Sequence, residues 1–154
     1  MNFVRRFCCY STATIPTWKD TIPFVPPISG GRVIKVYDGD TITIASKLPY
    51  KKSPLYRFSV RLNGIDSPEM KGVSKKETQM AIISRDKLAE KCLGKKVKLT
   101  EIKREKYGRV LADIHCDGIC LNEWMITEKL AVKYNGGTKE KINWGEYMKQ
   151  HVRK

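Results

Sequence analysis

The sequence is poor in the residues that most small binding and redox sites use. It has two histidines and five cysteines, Cys8, Cys9, Cys92, Cys116 and Cys120, with no CxxC pair and no Cys/His spacing suited to a structural zinc. An odd, scattered set of this kind supports neither a disulfide framework nor a zinc module. No run approaches the roughly 18 apolar residues of a membrane-spanning helix, and no internal repeat is present. Acids are scarce: 16 Asp and Glu stand against 30 Lys and Arg, a formal net charge of +14. With 41% apolar residues the chain is too hydrophobic to be a disordered basic tail. A folded domain with this imbalance attracts polyanions, nucleic acid first and an anionic membrane surface second.

The 154 residues allow one compact domain with a short tail. Four prolines and two glycines between Pro16 and Gly31 disfavour regular structure before residue 32. The expected organisation is therefore an N-terminal segment, 1–30, followed by a folded domain, 31–154. The segment holds Arg5 and Arg6 and no acid before Asp20. That composition is compatible with a mitochondrial transit peptide, with acylation at Cys8 and Cys9, or with an ordinary chain end. Membrane contact is expected only through this segment. The reading adopted is a cytoplasmic, reducing setting and a monomer.

Beyond residue 31, alternation predicts strands at 32–37 and 41–45 around the Asp38-Gly39 turn, then 56–62, 97–102 and 110–115. Residues 46–55, with Pro49, Pro54 and Lys51-Lys52, form a basic excursion that is a candidate substrate-contacting loop. Ser74 and Glu77 have capping-box spacing, and Met80, Ile83, Leu88 and Cys92 recur at near-helical intervals until Gly94, so a helix is expected over 75–93. A second is expected at 123–130, capped by Asn122 and offering Trp124, Met125 and Leu130 to the core. A third is expected at 139–154 through Ile142, Tyr147 and Val152. Three strands, then two, with helices interposed describe a small antiparallel barrel with packed helices, for which an OB-type barrel is the common nucleic-acid-binding solution.

Three motifs sit at turns or strand ends: Asp38-Gly39-Asp40-Thr41, Ile65-Asp66-Ser67-Pro68-Glu69 and Lys106-Tyr107-Gly108-Arg109. Each alone is ordinary turn chemistry. Together they gather carboxylates and, with Arg61, two arginines in a chain that is otherwise basic, which invites a metal. These motifs, with Arg61-Leu62-Asn63-Gly64 before the second and Leu121-Asn122-Glu123-Trp124-Met125-Ile126 later, resemble staphylococcal nuclease domains in identity and order over about residues 32–135.

The resemblance implies an α+β fold, a five-stranded OB-fold barrel with about three helices, and a calcium-dependent phosphodiesterase that cleaves DNA or RNA and leaves a 3′-phosphate. It implies Asp40, Asp66 and the Ser67 carbonyl as Ca2+ ligands, Glu69 as the group that orients or deprotonates water, and Arg61 and Arg109 as phosphate-binding catalytic residues. Lys106 and Tyr107 match nucleotide-contacting positions. Tyr134 matches another, with core packing or a helix-terminus role as the alternative. The chemistry agrees with these assignments. Calcium takes carboxylate, carbonyl and water oxygens, and guanidinium forks stabilise charge growing on a phosphoryl group. Ser67 where Thr is common, and the longer basic loop near 46–57, are departures that bear on substrate preference. Charge runs such as Lys95-Lys96-Val97-Lys98 are ordinarily solvated faces. Residues 71–106, however, hold twelve Lys or Arg against five acids, a surplus that supplies sequence-independent phosphate attraction. His115 reads as a strand residue, and Cys92, Cys116 and Cys120 as small apolar ones. A non-catalytic nucleic-acid-binding barrel is the alternative function.

Overall fold

The structure, a computed structural model, describes residues 15–72, 74–105, 107–137 and 142–149. Five strands form its centre: β1 (Gly30–Val36), β2 (Thr41–Ser46), β3 (Tyr56–Leu62), β5 (Lys96–Arg104) and β6 (Val110–Cys116). Three two-residue strands, β4 (Ile65–Asp66), β7 (Ile119–Cys120) and β8 (Val132–Lys133), complete the set. The sheet runs β3-β2-β1-β5-β6, and a parallel pairing of β3 with β6, Val60 opposite Val110 and Leu62 opposite Ala112, closes it into a barrel. Closure leaves these five strands without an open edge between them.

Alternation is what makes these segments strands. Along β6, every second residue from Val110 to Cys116 is buried. Val33, Ile42, Ile44, Val60, Leu62, Leu99, Ala112 and Ile114 fill the interior. Register shifts interrupt the pattern twice, between Val33 and Lys35 in β1 and between Thr100 and Lys103 in β5. The second contains Glu101 at φ 50°, the left-handed conformation that such an irregularity favours.

Helix α1 (Lys75–Cys92) starts at Ser74, whose hydroxyl accepts the Glu77 N–H at 3.1 Å. It ends before Gly94, at φ +76°, whose N–H donates to Val33 O at 2.9 Å and so ties the helix end to β1. Met80, Ala81, Ser84, Leu88 and Cys92 face the core. Ile83, expected there, lies one position off that stripe and is exposed. Helix α2 (Leu121–Thr127) starts two residues earlier than expected, with Cys120 and not Asn122 at its cap position. Asn122 is instead buried. Its amide accepts Ile114 N–H at 2.9 Å and donates to Asn63 O at 2.7 Å, joining α2 to β6 and to the turn after β3. Of the third helix, the described residues carry only α3 (Trp144–Lys149), which packs on α1 with Trp144 buried. Val152 lies outside the described residues.

Cys92 and Cys116 are buried and Cys120 is half-buried. Burial pushes the Cys92 thiol up to about 12, which makes it a packing group and not a nucleophile. Regular strand structure begins at Gly30, two residues before the expected start, and Ile28 is already part of the core. No helix among the described residues is long and apolar enough to cross a membrane.

Candidate active site

The site forms where the β1–β2 turn, the end of β3, the segment after β4 and the β5–β6 turn converge. In the first turn, Tyr37 N–H donates to Thr41 O at 2.9 Å while the Asp38 carboxylate accepts the Asp40 N–H at 3.0 Å. Gly39 is required by contact: a Cβ there would come within 2.8 Å of the Cβ atoms of Ser67 and Ser84. Helix α1 and the Ser67 segment can therefore close on the turn, and Asp40 is left 3% exposed beside Ser67 N–H, a 3.4 Å contact.

Strand β3 turns at Asn63-Gly64 and pairs as β4 with β8, Asp66 opposite Val132. Two residues are too few to show alternation, so this short ladder leaves no signal in the sequence. It matters for the site: Tyr134 N–H donates to Gly64 O at 2.9 Å, which brings the tyrosine to the wall of the cleft. Its hydroxyl donates to Gly137 O at 2.7 Å.

Arg61, opposite Thr41 on one side and Leu111 on the other, joins the acids. Its guanidinium pairs with Asp40, reaches Asp66 Oδ1 at 3.2 Å and donates to Ile65 O at 3.1 Å. Burial opposes the charge of this side chain, but the Asp40 and Asp66 carboxylates outweigh it and hold the guanidinium firmly protonated. Arg109 enters from the β5–β6 turn in a two-pronged pair with Glu105, Nε and Nη2 each 2.7 Å from a carboxylate oxygen, and its Nη1 lies 3.4 Å from the Thr41 hydroxyl. That pairing raises its pKa above the usual value.

These groups line a cleft of about 460 Å³, with Tyr37, Asp38, Ser67, exposed Glu69, Tyr107 and Tyr134 completing the wall. Asp40, Arg61, Ser67, Glu69, Tyr107, Arg109 and Tyr134 thus come together as the motifs suggested, and Asp66 meets them through Arg61. Lys106 lies outside the described residues. The loop at 46–55 contributes nothing to this wall. His115 is elsewhere, on β6, with Nε2 3.0 Å from the Thr100 hydroxyl.

Glu105 and Asp38 were missed. Glu105 stands four residues before Arg109 across a hairpin, a spacing that could have flagged an ion pair. From the sequence Asp38 is simply a turn residue. It is half-buried, and burial, then the neighbouring Asp40 charge, raise its pKa to about 6. The lining residues comprise four carboxylates, Asp38, Asp40, Glu69 and Glu105, against two guanidiniums. The donors are all oxygen and their sign is opposite to that of the whole chain, which fits a hard divalent cation. Among the described residues no three His, Cys, Asp or Glu groups form a complete metal cage. Such a cation would therefore depend on carbonyl, water or substrate oxygens as well.

Comparison with known proteins follows the same line. Residues 59–152 match the family described as staphylococcal nuclease homologue. An uncharacterized endonuclease of Escherichia coli is 32% identical over 68% of this chain and 60% of its own length. A staphylococcal-like nuclease of Arabidopsis thaliana is 37% identical over 51% of this chain and 22% of its own. A probable endonuclease of Schizosaccharomyces pombe is 30% identical, covering 69% of this chain and 56% of its own. The chain spans no more than about 60% of these relatives. Arg61, Asp66, Ser67, Glu69 and Arg109 fall inside the matched residues; Asp40 precedes them and is joined to them by Arg61.

Proposed function

The chain belongs to the staphylococcal nuclease family, and on that premise we propose that it is a calcium-dependent nuclease that hydrolyses DNA or RNA to products ending in 3′-phosphate. The observation that carries this reading is the convergence of one buried, two half-buried and one exposed carboxylate with two guanidiniums in one cleft of a chain with net charge +14. A binding module needs the basic surface but not the acids.

Asp40, Asp66 and the Ser67 carbonyl would hold the cation. Bound there, calcium would offset negative charge on the phosphate oxygens. Arg61 and Arg109 fix the phosphodiester and stabilise the charge that grows on its equatorial oxygens. Glu69, the exposed acid of the wall, orients a water and accepts its proton as the oxygen attacks phosphorus. The bond to the 5′ oxygen breaks, that oxygen takes a proton, and the phosphate stays on the 3′ side. Tyr107, Tyr134 and Lys106 contact the nucleotide.

The test is digestion of supercoiled plasmid and of single-stranded RNA by the full chain in calcium, in magnesium and in chelator, with end analysis of the products. Cleavage in calcium, abolished by chelator, with 3′-phosphate ends, is the expected result. Binding without turnover in any of these conditions would replace the nuclease with a non-catalytic OB-fold module.

A further inference from the structure

A second concavity, of about 860 Å³, lies at the other end of β1. Its floor is Gly30, Gly31, Ala45 and Val97, and its rim includes Arg32, Lys47, Lys96 and Lys98 with no acid among the lining residues. The glycines are there because the backbones crowd. A Cβ on Gly30 would sit 2.1 Å from Val97 O, and one on Gly31 2.5 Å from Ala45 O. The two glycines therefore add no side chain to the floor, and Ile34 and Leu55 line the groove beside the cations. Arg32 is anchored to Gly94 O, the carbonyl just past α1. Lys47, Lys96 and Lys98 are exposed and have no ion-pair partner among the described residues.

The bulge in β1 connects this groove to the cleft. In a regular strand, residues three apart point to opposite faces. The shift between Val33 and Lys35 lets Val33 and Val36 both serve the core and puts Arg32, opposite Ala45, on the same outer face as Lys35, opposite Thr43. Lys35 Nζ in turn lies 5.8 Å from the centre of the Tyr37 ring, and Tyr37 is part of the cleft wall. Cations thus mark one strand from groove to cleft, over about 17 Å at roughly 3.3 Å per residue.

We propose that the groove is an accessory track for the phosphate backbone of a polynucleotide whose scissile bond lies in the acidic cleft. It rests on the nucleic-acid reading of that cleft. Charge complementarity favours this occupant, as does the position of Lys35 on the outer face of β1 between the groove and Tyr37 of the cleft wall. The span suits the roughly 4 to 16 nucleotides that OB-type barrels cover. The basic excursion at 46–55 finds its place here, since Lys47 and Leu55 line the groove and not the cleft.

The test replaces Lys47, Lys96 and Lys98 together with Gln in the full chain. An equal-charge control replaces Lys76, Lys87 and Lys129, which lie on α1 and just after α2. Two readouts are used: anisotropy with a non-cleavable oligonucleotide of roughly 20 nucleotides in chelator, and the ratio of kcat/KM on a cleavable strand of that length to kcat/KM on a dinucleotide. The groove variant should bind the long strand about 10-fold more weakly at low salt, with a log–log salt slope shallower by about 2, at roughly 0.7 per lost phosphate contact. Its long-to-short ratio should fall to a similar degree, while the control changes either quantity less than about 2-fold. If the chain binds through the groove but cleaves nothing, the track stands and the nuclease reading fails. If it cleaves and the groove variant behaves like the control, the track is refuted. Loss of binding to phosphatidylserine vesicles with unchanged oligonucleotide affinity would also refute it and assign the groove to a membrane.

Discussion

The two ends of the β1–β2 hairpin carry opposite charge. At the turn, Asp38, Asp40 and their neighbours make a cleft with twice as many carboxylates as guanidiniums; where β2 ends, the charged residues that line the groove are all cations. Both lie on the same two strands. The net charge of +14 is therefore not a uniform coat but a background against which a few acids are concentrated in one cleft. Long-range attraction to phosphate falls off over a Debye length and tolerates any arrangement of cations, whereas holding a divalent ion and activating water needs anions at fixed positions. The acidic end is held by specific contacts accordingly: Gly39 against Ser67 and Ser84, Arg61 between Asp40 and Asp66, Arg109 on Glu105. At the basic end Lys47, Lys96 and Lys98 have no ion-pair partner among the described residues.

The hardest blow to the acidic end should be Asp40→Asn. It removes one of the few carboxylates available to a cation and one of the two that hold Arg61, so cleavage should be nearly abolished and calcium affinity should fall by about 10-fold or more. Oligonucleotide affinity, which depends on the basic surface, should largely survive. Calcium titration followed calorimetrically checks this; unchanged calcium affinity would remove Asp40 from the ligand set even if activity were lost.

Glu69→Gln and Arg109→Lys come next and should fail kinetically. The glutamine keeps size but cannot accept the water's proton, so turnover should fall by about 100-fold with calcium and substrate affinity little changed. The lysine keeps charge but loses the planar fork, and a comparable fall is expected if that fork meets the transition-state phosphate. Single-turnover rates at saturating calcium separate these effects from binding. Glu105→Gln should be milder. It leaves Arg109 without its paired carboxylate oxygens, so the guanidinium loses its orientation and kcat should drop by about 10-fold with KM less affected. A rise in kcat would mean that Glu105 competes with phosphate for the arginine and does not aim it.

The sequence exposed these two regions unequally. Strand β3 at 56–62 and helix α1 were readable almost to the residue, because alternation, the Asn63-Gly64 turn, the Ser74 cap and Gly94 all act locally. The site motifs were readable because each is a contiguous string at a turn. What escaped depends on distant contacts. The β4–β8 ladder that carries Tyr134 to the cleft is two residues long and pairs segments more than sixty residues apart. Asn122 has the look of a helix cap, and only the closed barrel shows that its amide bridges Ile114 and Asn63. The groove has no motif at all: Arg32, Lys47, Lys96 and Lys98 become neighbours only through the pairing of β1 with β2 and β5, and a bulge invisible to alternation sets which face they share.

The smallest expected effect concerns the N-terminal segment and sharpens where the folded unit begins. Ile15, Trp18, Ile22 and Phe24 are largely exposed, so removing residues up to 27 deletes little packing. At the next residue the situation changes. Ile28 is 6% exposed within the core, and Ser29 O accepts the Leu99 N–H at 2.8 Å, extending the β1–β5 edge by one bond. A chain beginning at Ile28 should therefore melt within a few degrees of the full protein and cleave a short oligonucleotide at an unchanged rate. One beginning at Gly31 loses a buried isoleucine, the Ser29–Leu99 hydrogen bond and Gly30, which pairs with Lys98 and accepts the Ser46 hydroxyl at 2.6 Å. A large apolar side chain lost from a core costs about 2–5 kcal/mol, here tempered because Ile28 sits at the barrel margin, so its unfolding midpoint should fall measurably in urea. Equal midpoints for the two truncations would place the boundary at residue 31 and show that Ile28 covers the barrel without stabilising it. A large loss already on deleting residues up to 27 would instead make the whole proline-rich segment part of the folded domain.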